Sequence, residues 1–205
     1  FAPDYTTILE KGVAGTLEAI RLSAEKYRGD PQKTVFLEAC RISMQGFSDM
    51  LERYAGAAQK KAAAMSDGPQ NQFWELSRIC HSLTLSPPAT FHEALQLLWL
   101  VHLTFSLQGR YAMAFGRLDQ FLYPFYLRDR EKGILNDAQA LELLSCTLYK
   151  IGERRLFAAD DVVNIAIGGL KRDGSGGVNE LSYLILQAVE ECGIPGPNLS
   201  ARLYT

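Results

Sequence analysis

Four short stretches carry residue types that could do chemistry. His92-Glu93-Ala94-Leu95-Gln96 differs by one position from the HExxH pattern, in which two histidines on one helix face hold zinc and the glutamate acts as base. Gln96 stands where the second ligand would be, and a neutral amide is a poor zinc ligand. No metal is therefore expected; Glu93 reads as a helix-capping residue and Gln96 as a buried, hydrogen-bonded amide. Cys80-His81 sets a thiol beside an imidazole. Sequence neighbours on a helix point about 100° apart, so the pair reads as a half-buried cysteine next to a surface histidine. Gly174-Ser175-Gly176-Gly177 has the setting of a phosphate-cradling turn, but dinucleotide spacing would need glycine where Asn179 stands. A plain turn is expected. Lastly, Arg117-Leu118-Asp119-Gln120 places two opposite charges and an amide at an apolar helix start. They could meet in one buried polar node or lie on an exposed first turn, and the residues alone leave both open.

The elements that must position these groups are mostly helical. Asp4 caps a predicted helix from Tyr5 to Tyr27 with a weak point at Gly12. Asp30-Pro31 opens a long one toward Met65, aspartate as N-cap and proline in the first turn. Its apolar residues from Val35 to Ala55 keep a 3.6-residue period. Ser66-Asp67-Gly68-Pro69 breaks the chain, a shorter helix runs from Gln72 to Ser82, and Ser86-Pro87-Pro88 forces an extended link. Thr90 and Glu93 form a capping box for Phe91 to Leu107, a helix apolar on every side and hence interior to something large. A loop from Gly109 to Gly116 precedes a helix from Leu118 to Glu131, bent or broken at Pro124. Asn136 and Gln139 cap a helix from Ala138 to Arg155.

Then the pattern changes. Val162 to Ile167 is a β-branched run ended by Gly168-Gly169. A turn from Asp173 to Gly177, a helix from Asn179 to Cys192 and a second strand from Leu199 to Tyr204 complete a βαβ unit with parallel strands. The fold class is mainly α leading into α/β, with helices over 1–158 and the βαβ unit over 159–205. Parallel strands need both faces covered, so this pair reads as the beginning of a sheet.

Composition narrows the function. The chain has 205 residues, 47% hydrophobic and 21% charged, as in ordinary globular proteins. Lys+Arg is 21 against 23 Asp+Glu, a net charge of -2, which provides no basic excess to hold a nucleic acid. Four cysteines stand singly, a usage that fits reduced thiols in the cytoplasm. The most apolar stretch, Ala94 to Leu107, is too short for a bilayer, which needs ~20 residues. The chain begins at Phe1 without a methionine or a basic leader, as processing or a cut would leave it.

Taken together, two long motifs resemble the pyruvate formate-lyase-like domain of glycyl radical enzymes. They are Pro87-Pro88-Ala89-Thr90-Phe91-His92-Glu93-Ala94-Leu95-Gln96 and Gly116-Arg117-Leu118-Asp119-Gln120-Phe121-Leu122-Tyr123-Pro124, with Asp129 beyond. Pro3-Asp4-Tyr5 with Gly12, Arg53-Tyr54-Ala55, Gly168-Gly169 and Asn179-Glu180-Leu181 agree with the family's flanking segments.

The resemblance implies a helical shell around a ten-stranded α/β barrel, of which 159–205 would be the first βαβ unit. It also implies a backbone glycyl radical, installed by an activating enzyme that uses S-adenosylmethionine and an iron–sulfur cluster. A cysteine thiyl then takes a hydrogen atom from a small-molecule substrate. The expected family loops around the thiyl cysteine and the radical glycine are absent from these residues, so no catalytic residue is expected here. The chain would be an internal segment that binds no cofactor itself, inactive alone, and partnered by the remainder of the parent chain. A homodimer, as for many relatives, and a cytoplasmic location complete the expectation. Glu93, Gln96, Gly116, Arg117, Asp119 and Gln120 are expected to be structural. In glycerol-dehydratase-like members a His-Ser pair ahead of Gly-Arg-x-Asp-Gln contacts the substrate hydroxyls; here the two places are Tyr111 and Ala112. Tyr111, Ala112 and Met113 are therefore the candidate substrate-binding residues, on an apolar wall that disfavours glycerol. The alternative is a self-contained helical binding or scaffolding protein in which these motifs serve packing alone.

Overall fold

Helices begin where a side chain can satisfy the open backbone groups of a first turn. The computed structural model describes residues 2–66, 68–109, 112–153 and 163–203. The chain divides into two units, Thr6–Pro88 and Phe1–Tyr5 with Ala89–Thr205.

The first unit holds α1 (Tyr5–Lys26, less its first residue), α2 (Pro31–Ala63) and α3 (Gln70–Leu85). Gly12 interrupts α1 at φ 67°, ψ -176°. A Cβ there would stand 2.8 Å from the Pro87 nitrogen, so only glycine provides both the backbone angle and the close approach. Asp30 caps α2 by accepting from the Lys33 amide at 3.2 Å. The Gln70 amide donates to the carbonyls of Ala62 and Met65, while at the far end His81 and Thr84 hold Glu52. The two helices thus run antiparallel. Phe47, Leu51, Ala55, Ala58 and Ala62 face Ile79, Cys80 and Leu83 in the core. With 33 residues against 16, α2 outruns its partner. Val35, Phe36 and Ile42 keep the helical period yet stand exposed, because α3 does not reach them.

The second unit is built on α4 (Phe91–Leu107), followed by β1 (Gly116–Arg117), α5 (Leu118–Phe121), α6 (Tyr123–Glu131), α7 (Asp137–Glu153), β2 (Asn164–Gly168), α8 (Glu180–Cys192) and β3 (Asn198–Arg202). α4 has the expected bounds and is buried on several sides, at Phe91, Ala94, Leu95, Leu97, Leu98, Leu100 and His102. Asn136 and Gln139 exchange side-chain bonds with each other's amides ahead of α7, and Asn179 and Ser182 do the same for α8. The expected helix over Leu118 to Glu131 is two helices that part at Leu122, with Pro124 in the first turn of α6. There its missing N–H costs nothing. The expected C-terminal end of α7 at Arg155, the first strand residue Val162 and the last, Tyr204, lie outside the described residues.

β2, α8 and β3 form the predicted parallel βαβ unit. Ile165 and Ile167 are buried on one face of β2, with Asn164 and Ala166 half-buried on the other. β1 also pairs parallel to β2, Gly116 opposite Ile165 and Arg117 opposite Ala166, so the sheet order is β1-β2-β3. The stretch read as loop therefore runs straight into a strand, one too short for any periodicity to register.

Candidate functional site

Asp119 is completely buried and organises the carboxyl end of the sheet. After two residues of β1 the chain turns into α5, and the backbone ladder along β2 loses its partner strand. The side chain of Asp119 takes over. Its Oδ2 accepts from the Gly168 amide at 2.7 Å and from the Ser182 hydroxyl at 2.6 Å. Its backbone carbonyl accepts from Asn179 Nδ2 at 3.0 Å. Arg117 spans the same turn as a fork, donating from Nη2 to the Gly168 carbonyl at 2.5 Å and from Nη1 to the Leu170 carbonyl at 2.6 Å. Gln120 donates to the Gly177 carbonyl at 2.5 Å.

Of the two arrangements open for Arg117, Asp119 and Gln120, the node is the one adopted. The opposite charges nevertheless form no ion pair with each other: each bonds instead to backbone or hydroxyl groups of the Gly168–Gly177 turn and the start of α8. Buried backbone groups left without partners cost about 1–3 kcal/mol each, and these three side chains remove several such costs at once. Asp119 Oδ1 and Arg117 Nε have no hydrogen-bond partner among the described residues.

The turn itself is built tightly. Gly177 donates to the Gly169 carbonyl at 2.6 Å and Lys171 to the Ser175 carbonyl at 2.8 Å. A Cβ on Gly177 would lie 2.5 Å from Arg117 Nη2 and 2.9 Å from the Gly169 oxygen. The glycines expected to make a plain turn do so, and one of them also makes room for a guanidinium.

A second buried carboxylate joins the two sequence motifs. Asp129 of α6 accepts from the Phe91 amide at 2.6 Å, and Arg128 donates to the Ala89 carbonyl. Glu93 accepts from the Ala89 amide at 2.7 Å while its own amide donates to Thr90. The capping role read for Glu93 is thus met through Ala89. Gln96 differs from the buried amide expected: it is only half-buried on α4. Cys80 is fully buried, beyond the half-burial expected. Burial, and then the Glu52 carboxylate, pushes its thiol up to about 11. His81 is exposed as expected, 2.9 Å from Glu52.

Of the candidate substrate-binding residues, Tyr111 lies outside the described residues, Ala112 is exposed and Met113 is completely buried. Just beyond, the Phe115 amide donates to the Asn164 carbonyl at 2.8 Å. The Phe115 ring stacks on His102 at 4.2 Å and on Tyr5 at 5.8 Å. Tyr5 and His102 share a buried hydrogen bond of 3.1 Å, and burial drives the Tyr5 phenol well above its ordinary pKa. This support beneath the stretch has no signature in sequence, since its members are 97 residues apart. Asn179 and Ser182 are legible as a helix cap, but their bonds to Asp119 are not.

Among the described residues no group of three or more His, Cys, Asp or Glu side chains is placed to hold a metal ion. No helix among them is long and apolar enough to cross a membrane.

The pyruvate formate lyase-like family profile matches residues 1–205. Trans-4-hydroxy-L-proline dehydratase of Clostridioides difficile is 32% identical over 98% of this chain and 28% of its own length. The glycyl radical subunit of 4-hydroxyphenylacetate decarboxylase from the same species is 33% identical over 96% of this chain and 24% of its own. The glycerol-bound B12-independent glycerol dehydratase of Clostridium butyricum superposes with a TM-score of 0.89 at 27% identity, covering 98% of this chain and 27% of that one. The chain thus spans about a quarter of the length of the glycyl radical enzymes it matches. With the profile extending over every residue and the same helices leading into the same sheet, the chain belongs to the pyruvate formate lyase-like family.

Proposed function

We propose that this chain supplies scaffold and one pocket wall of a glycyl radical enzyme that breaks a C–C, C–O, C–N or C–S bond of a small polar metabolite. The family match over the full chain carries the reading. It is supported by the joining of Arg117, Asp119 and Gln120 to the turn at the carboxyl ends of the strands, where ligands of parallel sheets gather.

The thiyl cysteine and the radical glycine belong to the rest of the enzyme. Cys40, Cys80, Cys146 and Cys192 all lie within helices, and Cys80 is held as a neutral thiol. An activating enzyme with S-adenosylmethionine and an iron–sulfur cluster would install the radical, in the cytoplasm of an anaerobe and on a homodimer. What this chain contributes is exclusion of water. A carbon radical needs a dry enclosure, and the apolar α4 backs the stretch that carries Ala112 and Met113.

Tyr111 offers one hydroxyl to a substrate, whereas Ala112 offers none. A vicinal diol such as glycerol would lack a partner for its second hydroxyl on this side. The test is a panel of glycerol, trans-4-hydroxy-L-proline, isethionate and 4-hydroxyphenylacetate, offered to the anaerobically activated full-length enzyme. Glycerol is expected to be the poorer substrate, and Tyr111→Phe to lower turnover per radical about tenfold, the worth of one hydrogen bond. Glycerol as the preferred substrate, or Tyr111→Phe with unchanged kinetics, would remove this wall from the site.

A further inference from the structure

We infer that Arg117 and Asp119 are positioning residues that make the stretch Ala112–Phe115 and the turn Gly168–Gly177 move as one body. The inference rests on the proposed radical-enzyme reading for its functional consequence, but not for its mechanical content.

Three connections converge on this coupling. The stretch is tied to β2 at its C-terminal end by the Phe115 amide on the Asn164 carbonyl and by the β1–β2 pairing. The pairing is only two residues long, too short to fix an angle alone. Arg117, the last residue of β1, therefore carries the linkage onward through its fork on the carbonyls of Gly168 and Leu170. Asp119 closes it, because its one oxygen holds both the Gly168 amide of the strand and the Ser182 hydroxyl of α8.

The fork geometry matters here. Guanidinium presents two donors in a rigid plane, while an ammonium is a point donor, so lysine at 117 could reach one carbonyl but not brace two. The bracing also has a second, independent sensor in Gly177. A methyl group there would collide with the Arg117 guanidinium and also press on the Gly169 carbonyl of its own turn without removing any hydrogen-bonding group, so loosening of Ala112–Phe115 is its readout of the brace. Gly177→Ala and Arg117→Lys should thus loosen the same pair of segments by different routes.

The consequence for a radical reaction is positional. Misplacing substrate by about 1 Å can cost about a hundredfold in rate, and a segment on the substrate side that floats relative to the strand ends would do that. Asp119 and Arg117 touch no reacting atom; they act through the segments that they hold.

The experiment uses the full-length enzyme with Arg117→Lys, Gly177→Ala and Ser182→Ala, the last removing one of the two donors on Asp119. Hydrogen exchange is followed on peptides covering Ala112–Gly116 and Gly168–Gly177, the glycyl radical is quantified by electron paramagnetic resonance, and turnover of whichever panel compound the wild type consumes is expressed per radical. Expected are faster exchange in both segments together for Arg117→Lys and Gly177→Ala, and an unchanged radical yield. Turnover per radical should fall about ten- to a hundredfold, more in kcat than in KM, with Ser182→Ala intermediate. A merely structural role would lower folded yield and leave turnover per radical alone. Exchange that rises in one segment only, or in neither, overturns the coupling. Joint loosening with unchanged turnover per radical overturns the positioning role. If Arg117→Lys fails to fold, Gly177→Ala decides. A wild type that never acquires a radical defeats the enzyme reading while the exchange result still scores the coupling.

Discussion

Asp119 shows how one side chain can stand in for a strand. Its carboxylate meets the Gly168 amide that β1 would have met had it continued, and it is the hub for Ser182 and Asn179 as well. Asp119→Ala would strand the Gly168 amide and the Ser182 hydroxyl in a buried place, at about 1–3 kcal/mol for each unpaired group. Asp119→Asn keeps an acceptor oxygen for both donors and should cost distinctly less. Thermal unfolding of the two variants checks this; equal losses would mean that the charge, and not the acceptor, matters. The residue types Arg117, Asp119 and Gln120 were legible in the sequence as a polar group beside an apolar helix start. Their partners were not, because most are backbone carbonyls and amides, which every sequence contains everywhere.

Tyr126 gives a pH prediction at the same scale. Burial first, then its hydrogen bond to Asp137, pushes the phenol from its ordinary 10.0 up to about 12. The folded state therefore favours the neutral form. That contribution is fully present below pH 10, where the unfolded phenol is also neutral, and is lost as pH rises through about 12. Stability should fall across this alkaline window, and Tyr126→Phe should flatten part of the fall, as seen by circular dichroism alongside phenolate absorbance. A slope in this window identical to that of the wild type would contradict the assignment. Burial of Tyr5 acts in the same direction.

At the scale of elements, helix starts were the most legible feature. Asp30, Thr90, Asn136 and Asn179 all cap where their types predict, since capping is settled within three residues. What lies on a helix face is settled by a distant partner, and there the sequence was less informative. Val35, Phe36 and Ile42 repeat like core residues, yet α3 ends before it can cover them. In the 205-residue chain, Leu51→Ala should therefore cost about 2–5 kcal/mol as a core truncation, against less than about 0.5 kcal/mol for Phe36→Ala, as expected for surface positions. Denaturant midpoints measured at constant slope decide it; comparable losses would place Phe36 in a core. The two-residue β1 was invisible for a different reason. Its pairing is completed by a side chain two residues beyond it.

At the scale of the molecule, a helical chain runs into a three-stranded parallel sheet whose third strand is exposed at Asn198, Ser200, Ala201 and Arg202. The order of helices and the βαβ unit could be read from caps, glycines and β-branched runs. Family membership could be read from two long motifs, which meet physically through Asp129 and Arg128. The substrate could not be read, since Tyr111, Ala112 and Met113 are one short piece of a wall, and chain of this length matches about a quarter of each relative.

These 205 residues are proposed to scaffold a radical that resides elsewhere in the enzyme. Anaerobic treatment of the full-length protein and, separately, of the 205-residue chain with an activating enzyme and S-adenosylmethionine, followed by electron paramagnetic resonance, tests it directly. A glycyl radical doublet is expected in the full-length protein and none in the chain alone. A doublet in the isolated chain, or none in the full-length protein under conditions that activate a relative, would contradict it.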